Sequence, residues 1–178
     1  MSNPLSAKVH LDEPAYRDKE HVISVYETAV LSYSSNAPNP RYLEAWARIV
    51  ERVAEEFQGG LLALIIIDGR APPPDDASKT AIRNVVVGHA NQIDAFAYVV
   101  EGEGFRTAAI RSGLSLISLA ARYPFPQKVF GRLEEAVPWM LSRPPRKQSS
   151  RRPLDQAELL GLATSLRSQL PSAVVAIG

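Results

Sequence analysis

The chain has 178 residues, of which 20 are basic and 19 acidic, so its net charge is only +1. This balance provides no overall electrostatic attraction to nucleic acid, membranes or acidic substrates. The sequence contains no cysteine, which excludes disulfides, thiolate metal sites and thiol catalysis. Apolar residues make up 46% of the chain, enough to build the core of one domain.

The first 20 residues carry charges throughout and have no apolar core. They therefore predict an irregular N-terminal arm and not a signal peptide. The longest apolar run, residues 61–67, is far shorter than the roughly 20 residues that cross a bilayer. We expect a soluble, cytoplasmic protein.

Residues 21–35 are rich in valine, isoleucine, tyrosine and serine, which predicts one bent strand or two short strands. Asn39 is a natural N-cap and Pro40 suits the first position of a helix. Apolar residues then recur at steps of three and four up to residue 57, as in a long amphipathic helix. This stripe consists of Tyr42, Leu43, Trp46, Ile49, Val50, Val53 and Phe57.

Residues 61–68 are continuously apolar up to Asp68, as in a strand that is covered on both faces. Asp75 or Asp76 can cap the next helix, whose inner face would include His89 and Ile93. The remaining predicted elements are a strand at 95–102, a helix at 105–123, a strand at 128–132 and a short helix at 133–141.

Strands and helices that alternate in this way predict an α/β fold with a mixed, mainly parallel sheet of four to five strands. The domain would span residues 21–142. Residues 143–153 are basic and rich in proline, as in a linker. Residues 154–178 predict a helix and a tail, and the helix carries a leucine stripe. That stripe must pack on the domain, pair in a homodimer or fill a groove in a partner.

The order of the elements and the end of the domain resemble a known fold. Residues 128–141, "KVFGRLEEAVPWML", form a short strand with Val129 and Phe130 that leads into an acidic helix containing Trp139. Together with "LLALIIIDG" and "AFAYVVEG", this pattern is similar to the STAS domain of anti-sigma-factor antagonists. The divergent bacterial STAS/SEC14-like group is the closer match. The resemblance covers about residues 21–141.

The resemblance implies a bacterial regulatory protein that signals by docking onto another protein and is not an enzyme. Well-known members of the family are switched by phosphorylation of a serine in a motif of the type Asp-Ser-Ser-Gly. The matching place here reads Asp68-Gly69-Arg70-Ala71, so both serines are missing. The next hydroxyl is Ser78, which does not inherit the role by position.

The acidic loop after the central strand has three interpretations. Asp68, Asp75 and Asp76 could begin a metal or phosphoryl-transfer site, although metal chemistry needs several oxygens converging on one ion. They could instead end a strand and cap a helix. They could also belong to a partner-binding surface. The residues assigned to that surface are Asp68, Gly69, Arg70, Asp75, Asp76, Ser78 and Lys79.

The turn before the third helix is a second candidate site. Gly102 and Gly104 precede the helix N-terminus and Arg106 lies in its first turn, so backbone amides there could hold an anion. The turn lacks the three-glycine spacing of dinucleotide-binding loops. Among the histidines, we expect His21 to be solvated and His89 to be a packing residue.

The sequence thus favours a non-catalytic STAS-like protein that binds another protein and needs no cofactor or metal. One alternative is a small-molecule or lipid carrier, which would need an apolar cavity of about 300 Å³ or more. An enzyme that uses the acidic loop is the remaining alternative. The basic linker has no interleaved aromatic residue, so it does not indicate a nucleic-acid partner.

Overall fold

The computed structural model describes residues 13–145 and 153–170. Most of the predicted arm, the greater part of the linker and the tail after residue 170 lie outside the described residues. The strands are β1 (Tyr16–Arg17), β2 (His21–Tyr26), β3 (Ala29–Ser34), β4 (Leu61–Ile67), β5 (Ile93–Val100) and β6 (Gln127–Phe130). The helices are α1 (Pro40–Phe57), α2 (Asp76–Gly88), α3 (Phe105–Ala121), α4 (Leu133–Leu141) and α5 (Gln156–Ser165), and a 3₁₀ helix (Leu166–Gln169) follows.

The six strands form one mixed sheet in the order β1-β2-β3-β4-β5-β6. The pairs β1–β2 and β2–β3 are antiparallel, whereas β3–β4, β4–β5 and β5–β6 are parallel. The expectation of four to five strands is therefore too low. Of the two interpretations of residues 21–35, one bent strand or two short strands, the second is confirmed by β2 and β3. β1 adds a sixth strand within the stretch that we expected to be irregular. A two-residue strand is too short to leave a periodic pattern in the sequence.

The turn between α2 and β5 differs from the prediction. The helix ends at Gly88, and His89 follows it as the C-cap. The His89 N–H donates to the Val85 carbonyl oxygen, and the Ala90 N–H donates to that of Val87. Ile93, which we expected on the inner face of the helix, instead starts β5 and pairs with Leu61. Gly88 favours the end of a helix at this point because glycine is a poor helix former.

Helices α1, α2 and α3 cover one face of the sheet. Each connects two neighbouring parallel strands, and right-handed crossovers of this kind place their helices on the same face. The predicted N-cap of α1 is confirmed, since the Asn39 side chain accepts a hydrogen bond from the Tyr42 N–H. The buried side chains that these helices contribute to the core include Trp46, Val50, Val86, Ile110 and Leu114.

The other face is covered by α4 and by residues 156–169, which comprise α5 and the 3₁₀ helix and are called the C-terminal cover below. Leu159, Ala163 and Leu166 of this cover are fully buried against the strands. The predicted leucine stripe therefore packs on its own domain. The hypothesis of a homodimer through this helix depended on an exposed leucine stripe, and the stripe is not exposed.

Candidate partner-binding site

The candidate site lies where the parallel strands β3, β4 and β5 end. Tyr33 is near the end of β3, Asp68 directly follows β4 and Glu101 directly follows β5. Tyr33 pairs with Ile66, two residues before Asp68, so their side chains point to the same face of the sheet. That face is the one that the C-terminal cover packs against, and it lies opposite α1, α2 and α3.

Asp68 is the centre of a hydrogen-bond network. Its carboxylate accepts a hydrogen bond of 2.8 Å from the Tyr33 hydroxyl and one of 2.9 Å from the Arg70 backbone N–H. The Arg70 guanidinium also donates two bonds, from Nε at 3.0 Å and from Nη2 at 2.8 Å. Asp68 is only 4% exposed, whereas the Arg70 side chain is 77% exposed. A buried carboxylate thus holds an arginine at the surface.

Arg167 connects this network to the C-terminal cover. Its guanidinium lies 3.6 Å from the Asp68 carboxylate and 3.9 Å from that of Glu101. Sequence reasoning identified Asp68 and Arg70 but missed Tyr33, Glu101 and Arg167. Glu101 carried a usable signal, because it is a charged residue at the end of an apolar strand. Arg167 carried none, since its contact depends on how the cover folds back.

The network fixes the charge state of its members. Hydrogen bonds from Arg70 are the main cause that holds the pKa of Asp68 well below its usual range, against the opposing effect of burial. Burial, together with the bond to Asp68, raises the pKa of Tyr33. Burial also raises the pKa of Glu101. At neutral pH the Asp68 carboxylate is therefore ionised and the Tyr33 hydroxyl is neutral. The hydroxyl keeps its proton and donates it in the hydrogen bond to the carboxylate.

The loops after β4 and β5 lie against each other. A Cβ atom on Gly69 would lie 2.0 Å from the Glu101 carbonyl oxygen, so only glycine allows this approach. The Arg106 guanidinium donates a bond of 3.1 Å to the Arg70 carbonyl oxygen. The structure therefore places the predicted partner surface and the predicted anion site next to each other.

The predicted anion site has its arginines engaged elsewhere. Gly104 caps α3 with a positive φ of 101° and supplies no side chain to the helix N–H groups. Arg106 bonds the loop after β4, and Arg111 donates to the carbonyl oxygens of Val100 and Gly102 at 2.8 and 3.1 Å. These two guanidiniums hold the backbone of both loops.

Asp75 and Asp76 have different structural roles from Asp68. Asp75 is the N-cap of α2 and accepts a bond of 2.7 Å from the Ser78 N–H, while Asp76 is exposed and pairs with Lys79 at 2.8 Å. The interpretation of Asp75 as a helix cap is thereby confirmed. In the described part of the chain, no three histidine, aspartate or glutamate side chains are grouped so that they could hold a metal ion.

The cap gives a prediction about stability. Replacing Asp75 with alanine should lower the free energy of unfolding by about 1 kcal/mol, because the Ser78 N–H loses its acceptor. Urea unfolding followed by circular dichroism measures this change. Asp75→Ser keeps a cap oxygen and should retain most of the stability. An equal loss in both variants would contradict the capping role.

An apolar cavity lies between the sheet and the first three helices. Its volume is about 60 Å³, and its lining includes Trp46 of α1, Val86 of α2 and Leu114 of α3, together with Ala71 and Pro72 from the loop after β4. A cavity of this size holds one small aliphatic group. It falls below the roughly 300 Å³ typical of sites for whole small-molecule ligands. Within the described residues, this cavity does not provide the volume that the lipid-carrier alternative requires.

The two histidines within the described residues are both held by neighbours. His21 is fully buried, its Nδ1 lies 3.0 Å from the Asp18 carboxylate and its ring stacks on that of Tyr42 at 4.5 Å. The expectation that His21 is solvated is therefore wrong, because the turn that carries Asp18 folds back over the start of β2. His89 Nδ1 donates to the Val85 carbonyl oxygen at 2.7 Å.

Comparison with known proteins identifies the fold of the chain but neither a family nor a function. No family model matches the chain, and no curated protein does. The chain is similar to the crystal structure of an uncharacterized protein of the DUF3478 family, with a SpoIIAA-like fold, from Shewanella loihica PV-4. The identity is 11%, the TM-score is 0.50, and the match covers 70% of this chain and 97% of that chain.

The SpoIIAA-like fold is the STAS-like fold, so the resemblance seen in the sequence is confirmed at the level of the fold. The class defined by the fold is thus an α/β protein with a mixed, STAS-like sheet. Within the residues that the structure describes, no helix is both long and apolar enough to span a membrane.

Proposed function

We propose that this chain is a non-catalytic regulatory protein that acts by binding another protein through residues 68–79 and helix α2. In this proposal no residue is catalytic and no cofactor is bound. The STAS-like fold, which is common among regulatory proteins, agrees with the proposal. The observation that carries it is the loop after β4, whose backbone is fixed by the buried Asp68 while the Arg70, Asp75 and Asp76 side chains face solvent.

Three contacts fix that loop. Asp68 bonds the Arg70 backbone N–H, Gly69 lies against the Glu101 carbonyl group, and Arg106 bonds the Arg70 carbonyl oxygen. A loop held in this way loses little conformational entropy when it binds, which favours recognition of a protein surface. The three carboxylates of this segment each have a structural partner, namely Arg70 for Asp68, the Ser78 N–H for Asp75 and Lys79 for Asp76, which favours binding over catalysis.

Arg70 is the residue of this surface with the largest expected contribution to binding. Its guanidinium is already oriented by two bonds to Asp68, and arginine is frequent among residues that dominate interface energetics. We expect Arg70→Glu to weaken the partner complex at least about tenfold. The test first captures partners with the intact chain as bait and identifies them by mass spectrometry. The affinity of each purified partner is then measured by calorimetry.

Glu56→Lys is a matched control for Arg70→Glu. Glu56 is exposed near the end of α1, which leads into the start of β4, whereas the loop follows the end of β4. Both variants reverse one exposed charge, so only a specific contact distinguishes them. Equal affinity of wild type and Arg70→Glu, with both folded, would reject the proposed surface. Turnover of a substrate by the purified chain would reject the non-catalytic assignment.

A further inference from the structure

Helix α3 carries an exposed apolar stripe that is not covered by the described part of its domain. Phe105 is 90% exposed, Leu116 is 66% exposed and Leu119 is 75% exposed. Ala108 and Ser112 lie between them and are also exposed. The spacing from 105 to 108, 112, 116 and 119 follows steps of three and four, so all five residues lie on one face of the helix.

This face has little polar character. The stripe contains no charged residue, and the charged side chains Arg106 and Arg111 are bonded to loop carbonyl oxygens. The nearby hydroxyls of Ser115 and Ser118 donate to carbonyl oxygens of the helix itself, at 2.9 and 2.8 Å. Water therefore gains few hydrogen bonds here, and burial of the face costs little desolvation energy. Exposed patches of this kind commonly mark interaction surfaces.

The stripe is complementary to itself when two copies run antiparallel. If Ser112 of one helix meets Ser112 of the other, position 108 faces position 116 and position 105 faces position 119. The small Ala108 then faces the large Leu116, and Phe105 faces Leu119. An interface with two-fold symmetry requires a surface that matches itself in this manner. Small residues at the centre also let the helix axes approach closely.

The charges at the ends of α3 match in the same arrangement. Glu103 precedes the helix and Arg122 follows it, and both are exposed. In the antiparallel pairing, Glu103 of each copy lies beside Arg122 of the other. Opposite charges thus meet at both ends, whereas a parallel pairing would place like charges together. The helix dipoles are also oppositely oriented.

We propose that α3 is the interface of a homodimer in which two copies pair antiparallel about Ser112. One helix pair is a small interface, so the dimer forms in a concentration-dependent manner. The sheet faces and the loop of residues 68–79 take no part in the pairing. The C-terminal cover also remains on its own domain.

Sedimentation velocity of the full chain over a wide concentration range tests the pairing. We expect a monomer–dimer equilibrium that Leu116→Glu and Leu119→Glu each weaken at least about tenfold, because each buries a charge in an apolar contact. Both residues are exposed in the monomer, so thermal unfolding of the variants should match that of wild type. Thr164→Glu, which changes an exposed residue of α5, should leave the equilibrium unchanged.

Charge reversal tests the antiparallel direction. Glu103→Arg and Arg122→Glu should each weaken the dimer, and the two changes together should restore it. Cysteine cross-linking tests the centre of the pairing, because the chain has no cysteine of its own. Ser112→Cys meets its own copy and should form a disulfide readily. Ala77→Cys, exposed on α2, should not.

Three results would overturn the assignment of α3 as a dimer interface. The first is a monomer at every concentration, and the second is a dimer that Leu116→Glu leaves intact. The third is a monomer that binds vesicles of phosphatidylcholine and phosphatidylglycerol and loses this binding in Leu119→Glu. That result would assign the stripe to a membrane surface. A failure of the double charge reversal to restore the dimer would reject the antiparallel direction.

Discussion

Leu166→Ala should lower the free energy of unfolding by about 2–5 kcal/mol, as other large-to-small changes in protein cores do. Leu166 is fully buried, although it belongs to a short 3₁₀ helix near the end of the chain. Its side chain packs in the same cluster as strand residues such as Leu31 and Leu64. Equilibrium unfolding in guanidinium chloride measures the loss as a shift of the midpoint.

Thr164→Ala is the control for Leu166→Ala, because Thr164 is an exposed residue of the same cover. We expect that change to alter stability by less than about 0.5 kcal/mol. If Leu166→Ala had an equally small effect, the cover would not be part of the folded core. The measured slope of the unfolding transition also shows whether the cover unfolds together with the sheet.

Asp68→Asn should destabilise the chain at neutral pH by about 1.5–3 kcal/mol, a range typical of hydrogen bonds to charged groups. The amide keeps the volume of the carboxylate but carries no charge, and it cannot accept the bidentate bond from Arg70 and the Tyr33 bond together. Asp76→Asn is the matched control, since Asp76 forms only an exposed pair with Lys79. Chemical unfolding of both variants measures the difference.

The effect of Asp68→Asn should depend on pH. The pKa of Asp68 is lower in the folded chain than in the unfolded chain, where an aspartate titrates near about 3.9. The carboxylate therefore contributes its full stability above that value, and the contribution is lost as the pH falls below it. We expect the difference between wild type and Asp68→Asn to shrink as the pH is lowered from 5 to 2. A constant difference would mean that the charge of Asp68 does not stabilise the fold.

The parts of the fold that follow a sequence period were predictable. The long stripe of α1, the apolar runs of β4 and β5 and the cap at Asp75 were all visible in the sequence. The elements that depend on tertiary contacts were not. β1 is held by two paired residues, and the start of β5 at Ile93 depends on pairing with Leu61. Neither β1 nor the start of β5 produces a periodic pattern in the local sequence.

The site was predictable only where its residues are close in the sequence. Asp68 and Arg70 were found because a polar pair follows an apolar strand. Tyr33 and Arg167 were not found, since one lies inside a strand of mixed composition and the other reaches the site only after the C-terminal cover folds back. The buried state of His21 depends likewise on a turn that folds over β2.

The order of the strands has a consequence for biosynthesis. Each strand pairs with the one made just before it, so the sheet can grow in step with translation. The face under α1, α2 and α3 is covered as it forms, but the other face waits for α4 and for the residues around Leu166. A nascent chain therefore exposes an apolar sheet until α4 and the C-terminal cover leave the ribosome. Premature termination there would produce an aggregation-prone species and a substrate for chaperones.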